Sequence, residues 1–304
     1  MPKITRDDIE LEYEVFGDLT NEVLIGVQGF AEGWRFWPKS FIDAVVNAGY
    51  CFVAFDNRDI GGSSFMSDFG FADIPGAFDQ LAQGIQPQAA YTVDVLGDDI
   101  IRVMDGLNIQ KAHLIGYSMG GIAIQWAAIN HPERVISLLP LMTTTSHPDL
   151  PPARQSALDM AFAIISPIEN EQVSRERIAT MFKVTTGFGF PGTEQEEKEF
   201  VDLLLEQGYQ PAAMSRQLLS IYAAEPHFEK IQGINCPTTV IHGTDDCFFT
   251  IEHGQDVANR IPNAKLTTVE GLGHNLAESF MPTLSQITLN HLSAITSKKS
   301  SLTA

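Results

Sequence analysis

Positive charge is scarce in this 304-residue chain: 19 Lys and Arg stand against 38 Asp and Glu, a formal net charge of −19. A surface that acidic repels phosphate backbones and anionic head groups, which argues against nucleic acid and membrane surfaces as partners. Long apolar runs are missing as well, and no segment approaches the ~18 uninterrupted apolar residues of a membrane span. Cysteines number three, Cys51, Cys236 and Cys247. That odd count without metal-ligand spacing fits reduced thiols in a reducing compartment. No apolar stretch follows Lys3 and Arg6, so no secretory leader is expected and the chain reads as soluble and cytoplasmic. There is no His-Glu-x-x-His, no paired Cys-x-x-Cys, no P-loop and no dinucleotide glycine fingerprint, so no metal or cofactor is expected. What is present is a 44% hydrophobic composition, enough for a sizeable core.

Strand-like and helix-like patterns alternate through the first half, the mark of a parallel sheet covered on both faces. Ile9–Phe16 alternates as an edge strand does, while Val23–Val27 and Cys51–Phe55 are short apolar runs suited to buried strands. The intervening stretch places Phe41, Ile42, Val45 and Val46 at helical spacing and stops at Gly49. A helix is predicted over 92–107 with Thr92 as its cap, then a strand over 113–115 and a helix from Met119 to the His131-Pro132 stop. After a strand over 135–142 the pattern changes. Residues 145–230 show helical periodicity at 153–165, 174–183, 194–207 and 212–223, and no convincing strand. The expected organisation is therefore an α/β core, 1–144 and 231–304, interrupted by a helical cap, 145–230. Alternation resumes with a strand at 238–241, a helix at 253–260, a strand at Lys265–Val269 and a last helix over 283–295.

Gly116-Tyr117-Ser118-Met119-Gly120 fits G-x-S-x-G, a serine held on a tight strand-to-helix turn. By chance the pattern arises in roughly one chain of this length in ten, so its setting carries the argument. A strand ends at Ile115 and a helix starts after Ser118, as such a turn requires. A serine hydroxyl needs a base to take its proton and a carboxylate to orient that base. His274, in Gly271-Leu272-Gly273-His274-Asn275 after the last strand, is the expected base. The acid lies in Gly243-Thr244-Asp245-Asp246, where two adjacent aspartates compete; the Gly-x-x-Asp spacing favours Asp246, with Asp245 capping the turn. Oxyanion donors are expected from the backbone N–H groups of Met119 and of Phe30, the latter in the Gln28-Gly29-Phe30 loop. Phe30, Trp34 and Trp37 flank the oxyanion position, and Gly29, Trp34 and Trp37 are expected to shape the substrate pocket.

These elements, in the order serine, acid, histidine, resemble the α/β-hydrolase fold, over 9–142 and from 238 onward. Phe55-Asp56-Asn57-Arg58-Asp59-Ile60-Gly61-Gly62-Ser63 and the tryptophan after the oxyanion loop resemble esterases of the aclacinomycin methylesterase type. Two positions depart from the family pattern. Gln28 stands where His is common before the loop glycine, and Asp59 replaces the first glycine of the Asp-x-Arg-Gly turn. The resemblance implies that Arg58 ties loops together. It also implies that Ser118 excludes the aspartate-dependent dehalogenases and epoxide hydrolases. The implied activity is a carboxylic ester hydrolase acting on a small-molecule ester. Perhydrolase, lactonase and carbon–carbon bond hydrolase activity through the same triad remain open, as does a ligand receptor without turnover.

Overall fold

The computed structural model describes residues 1–302, with the side chains of 297–302 left aside. Eight strands form one sheet: β1 (Lys3–Arg6), β2 (Ile9–Phe16), β3 (Val23–Val27), β4 (Cys51–Phe55), β5 (Ala112–Tyr117), β6 (Val135–Leu141), β7 (Thr239–Gly243) and β8 (Lys265–Val269). Their spatial order is β1-β2-β4-β3-β5-β6-β7-β8. The first three in that order pair antiparallel, and from β4 onward every pair is parallel. Every residue of β3, β4 and β5 is buried, as strands covered on both faces must be.

Helices α1 (Lys39–Asn47), α2 (Ile74–Ala82), α3 (Val93–Gly106), α4 (Met119–Asn130), α9 (Ile251–Arg260) and α10 (Met281–Leu302) accompany the sheet. Alternate strand residues feed two cores. Ile25, Val27, Val53 and Phe55 pack with α3 and α4, whereas Leu24, Phe52 and Ala54 pack with Phe41 and Val45 of α1 and Leu284 and Leu292 of α10. Helix α4 is buried along nearly its whole length, and its buried residues other than Gln125 are small or apolar. Among the described residues no helix is long and apolar enough to cross a membrane.

Between β6 and β7 the chain leaves the sheet and builds four helices, α5 (Gln155–Ile165), α6 (Glu171–Thr185), α7 (Glu194–Glu206) and α8 (Pro211–Tyr222). A third apolar cluster joins this excursion to the core, with Met160, Ile164, Ile178, Leu204 and Met214 packing near Ala31, Ile60 and Ile74. Helix α7 begins with a capping box in which Thr193 and Glu196 satisfy each other's backbone N–H groups.

Three details depart from the sequence reading. Strand β1 lies outside β2, so Ile9–Phe16 is not the sheet's edge. Helix α2, in a stretch with no assigned element, carries Pro75 in its first turn, where the missing N–H costs nothing. Thr92 occupies the N-cap of α3, but its hydroxyl makes no capping bond.

Candidate active site

At the end of β5 the chain turns so sharply into α4 that Ser118 sits at φ 55°, ψ −117°. A non-glycine residue there is strained, and such strain persists only where the surroundings enforce it. They do so by crowding. A Cβ on Gly116 would lie 2.3 Å from the Gly120 carbonyl oxygen, and one on Gly120 would lie 2.2 Å from the Val27 oxygen. The Ser118 backbone is fixed at both ends, its N–H donating to the Leu141 carbonyl (2.9 Å) and its carbonyl accepting from the Thr143 hydroxyl (2.8 Å).

His274 and Asp246 arrive on the loops after β8 and β7. His274 Nε2 lies 2.9 Å from Ser118 Oγ, and its Nδ1 lies 2.8 Å from Asp246 Oδ2. All three are buried, with Asp246 at 1% exposure. The second Asp246 oxygen accepts the backbone N–H groups of Phe248 (2.9 Å) and Phe249 (2.8 Å). Burial alone raises the Asp246 carboxyl. His274, His242 and the Phe249 N–H outweigh that and hold it below its ordinary value, so it stays an anion. Asp245 faces the other way, ion-paired with Arg154 at 3.0 Å and accepting the Phe188 N–H. The structure therefore brings Asp246, and not its neighbour, to the histidine.

The histidine is held by more than the acid. Its backbone N–H donates to the Thr185 carbonyl in the excursion (2.7 Å), and its carbonyl accepts the Tyr117 hydroxyl (2.7 Å). The rings of Tyr117, Phe248 and Phe249 stand 5.2, 5.1 and 5.6 Å from the imidazole. Gly273 is needed for a reason the sequence does not reveal: a Cβ there would lie 2.3 Å from Gly187 N and from the Thr185 oxygen. His242, on β7, lies 3.7 Å from Asp246 Oδ2. Burial keeps it neutral, and its Nε2 is 2.7 Å from the Phe249 carbonyl, so the proton belongs on that nitrogen. Tyr117 and His242 were missed as site residues because each serves a neighbour's backbone or charge. Their only sequence signal is adjacency to the elbow and to the acid loop.

The Gln28-Gly29-Phe30 loop lies against the serine: a Cβ on Gly29 would sit 3.1 Å from Ser118 Cβ. Among the described residues, neither the Phe30 N–H nor the Met119 N–H donates to a protein acceptor. The latter is expected of the first helical turn. Asn57 supports the loop by donating to the Gln28 carbonyl (3.0 Å). Gln217 on α8 clamps it, accepting from the Ala31 N–H (2.9 Å) and donating to the Arg58 carbonyl (2.7 Å).

Arg58 joins this turn to α3 through both oxygens of buried Asp99, at 2.6 and 2.9 Å. Asp59 has φ 65°, a conformation glycine takes freely. Its carboxylate compensates by receiving the Arg216 guanidinium of α8 at 3.0 and 2.6 Å. The exchange of glycine for aspartate thus ties the excursion to the core.

Trp34 and Trp37 turn into the core, and neither lines the two cavities described below. Trp37 is 2% exposed and stacks 5.6 Å from Phe41 and 5.7 Å from Phe52, while Trp34 packs on Phe16 at 5.8 Å. Residues three apart in a 3₁₀ turn point the same way, here into the α1 core. Phe36 on the same turn lines a cavity of about 160 Å³ between the turn, α6, α7 and the loop after His274. A larger hollow of about 420 Å³, bounded by Ile168, Glu171, Leu205 and Tyr209, lies within the excursion and includes no triad residue. Cys247, beside the acid, is pushed up to about 12 by burial and by Asp246, so it is a thiol and not a thiolate. Among the described residues no group of three or more His, Cys, Asp or Glu could hold a metal ion.

A family model described as the alpha/beta hydrolase fold matches residues 22–163. A rhodomycin D methylesterase of Streptomyces peucetius is 26% identical over 293 residues, 90% of this chain and 91% of that protein. A 3-oxoadipate enol-lactonase of Acinetobacter baylyi is 26% identical over 270 residues, covering 88% and 87%. Among solved structures, a meta-cleavage product hydrolase from Pseudomonas fluorescens superposes with a TM-score of 0.75 at 18% identity, covering 97% and 98% of the two chains.

Proposed function

We propose that this chain, which has the α/β-hydrolase fold, is a carboxylic ester hydrolase working through Ser118, His274 and Asp246. The observation that carries the reading is the unbroken hydrogen-bond series from Ser118 Oγ through the imidazole to Asp246. In the proposed reaction His274 Nε2 takes the hydroxyl proton as Ser118 Oγ attacks the ester carbonyl. Asp246 offsets the charge of the imidazolium that forms. The N–H groups of Phe30 and Met119 receive the oxyanion, where one preorganised donor is worth ~3–4 kcal/mol. The imidazolium then returns its proton to the leaving alcohol. Water, deprotonated by the same nitrogen, releases the acid and restores the serine.

In this reading residues 145–230 are the cap that selects the ester, and small to medium acyl groups are the substrates. Methylesterase and enol-lactonase relatives support ester chemistry on a small molecule. The free thiols Cys51, Cys236 and Cys247 support a reducing, cytoplasmic setting. Similarity to the enol-lactonase favours a second reading, hydrolysis of a lactone by the same steps. The test is initial rates on p-nitrophenyl acetate, butyrate, octanoate and palmitate, with γ- and δ-lactones alongside, for wild type and Ser118→Ala. Turnover confined to the wild type is expected; equal rates in both proteins would overturn the serine mechanism.

A further inference from the structure

Two residues beyond Phe30, Glu32 is 7% exposed and lines the cavity of about 160 Å³. Burial alone perturbs it: the carboxyl is pushed up to about 8 with no hydrogen bond or charge to offset the desolvation. Buried carboxyls are ordinarily paired. The other charged groups around the cavity are engaged. Glu196 accepts from Thr193 and from the Glu278 N–H, Glu199 from Gln195, and Glu278 from Ser40. Arg35 lies over the Trp34 ring, 5.4 Å from its centroid. Of the four carboxyls lining the space, Glu32 is the one with no hydrogen bond or ion pair among the described residues.

The cavity abuts the histidine loop, since Asn275 lines it next to His274 and so does Thr185, whose carbonyl holds the His274 N–H. Three aromatic side chains share it, Phe36 and Phe182 standing 5.0 and 5.6 Å from Phe200. The space of about 160 Å³ has a mixed lining of aromatic and polar side chains and is of the size that accepts a benzene-sized molecule, so one arm of a substrate fits. A carboxyl without a counter-charge among aromatic rings matches one chemistry, an organic cation. The carboxylate supplies the charge, and the rings supply cation–π contact.

We propose that this cavity is a recognition subsite for an ammonium group carried by the ester substrate, with Glu32 as its counter-ion. The inference rests on the ester-hydrolase reading and adds the substrate class. Without a ligand Glu32 keeps its proton near neutral pH. An entering ammonium supplies the missing charge, and Glu32 gives its proton to solvent.

The test compares esters that differ only in charge: methyl 6-aminohexanoate against methyl heptanoate, and acetylcholine against 3,3-dimethylbutyl acetate. Wild type should favour the cationic member of at least one pair by roughly tenfold or more in kcat/KM. Glu32→Gln should abolish that preference and Glu32→Asp should keep part of it. Each ratio comes from one enzyme sample, so partial unfolding does not affect it. A wild-type ratio near one in both pairs, or a ratio unchanged in Glu32→Gln, would overturn the subsite. Failure to hydrolyse any of the four esters would count against the hydrolase reading. The subsite then stands or falls on whether hexylammonium chloride, and not hexanol, raises the melting temperature of wild type but not of Glu32→Gln.

Discussion

Two buried carboxyls border the same histidine loop, and they are treated in opposite ways. Asp246 has a histidine nitrogen on one oxygen, two backbone N–H groups on the other, and a second histidine nearby. Glu32, a short distance away in the fold, has aromatic rings and no partner. The first arrangement finishes its electrostatics on folding, so the carboxylate is a permanent anion that fixes an orientation. The second is left uncompensated on folding, so its carboxyl keeps its proton near neutral pH. On the proposed reading, the contrast separates machinery that performs a reaction from a surface that chooses what enters it.

The largest break comes at the centre of the completed network. Ser118→Ala should fold and lose on the order of 10⁴–10⁶ in kcat, read from p-nitrophenyl butyrate hydrolysis. Next, Asp246→Asn should cost on the order of 10³–10⁴ in kcat, because the amide no longer favours the productive tautomer of His274. Asp245→Asn disturbs a partly exposed pair with Arg154 and a hydrogen bond from the Phe188 N–H, neither of which touches His274, and should stay within about threefold. Comparable losses from both aspartate variants would contradict the assignment of roles.

Glu32 sharpens the comparison through stability. In the unfolded chain its carboxyl ionises near 4.5, in the fold at about 8. As pH rises through that interval the unfolded chain releases its proton first, so the native state loses stability from pH 4.5 upward, with the full loss above 8. At about 1.4 kcal/mol per unit the ceiling is roughly 5 kcal/mol. Glu32→Gln should therefore raise the melting temperature at pH 8 and much less at pH 5. A gain equal at both pH values would mean that the ionisation of Glu32 is not its source, and so that burial does not raise its carboxyl. The smallest effect is expected from Tyr117→Phe, which leaves the buried His274 carbonyl without its donor. It should cost about 1–2 kcal/mol in stability and a few-fold in kcat, measured by urea unfolding and initial rates.

Much of this was legible in the residues. Buried parallel strands announce themselves as short apolar runs, and the serine, acid and histidine sit at strand ends, where punctuation by glycine is strong. The helical run from 145 to 230 was visible by its period, and α5–α8 fall inside it. Trp34 and Trp37 misled because a loop has no period, so nothing along the chain says which way its side chains turn. Helix α2 was hidden by Pro75 and Gly76, which read as loop although a first turn accepts them. Glu32 carries no sequence signal at all. Its environment is made by α6 and α7, more than 140 residues later in the chain.

The hydrogen bond from the His274 N–H to the Thr185 carbonyl bears on how such a protein can be remodelled. A segment that hangs over a site can be exchanged for another if the core does not lean on it. Here His274 does lean on it, and the close approach of Gly187 to Gly273 leaves no slack in that contact. A transplant of residues 145–230 from a relative would have to carry the 185–189 crossing unchanged to leave the imidazole where the serine needs it. If the cavity is the proposed subsite, changes on α7 or at Phe36 would alter preference without touching the residues that hold the histidine.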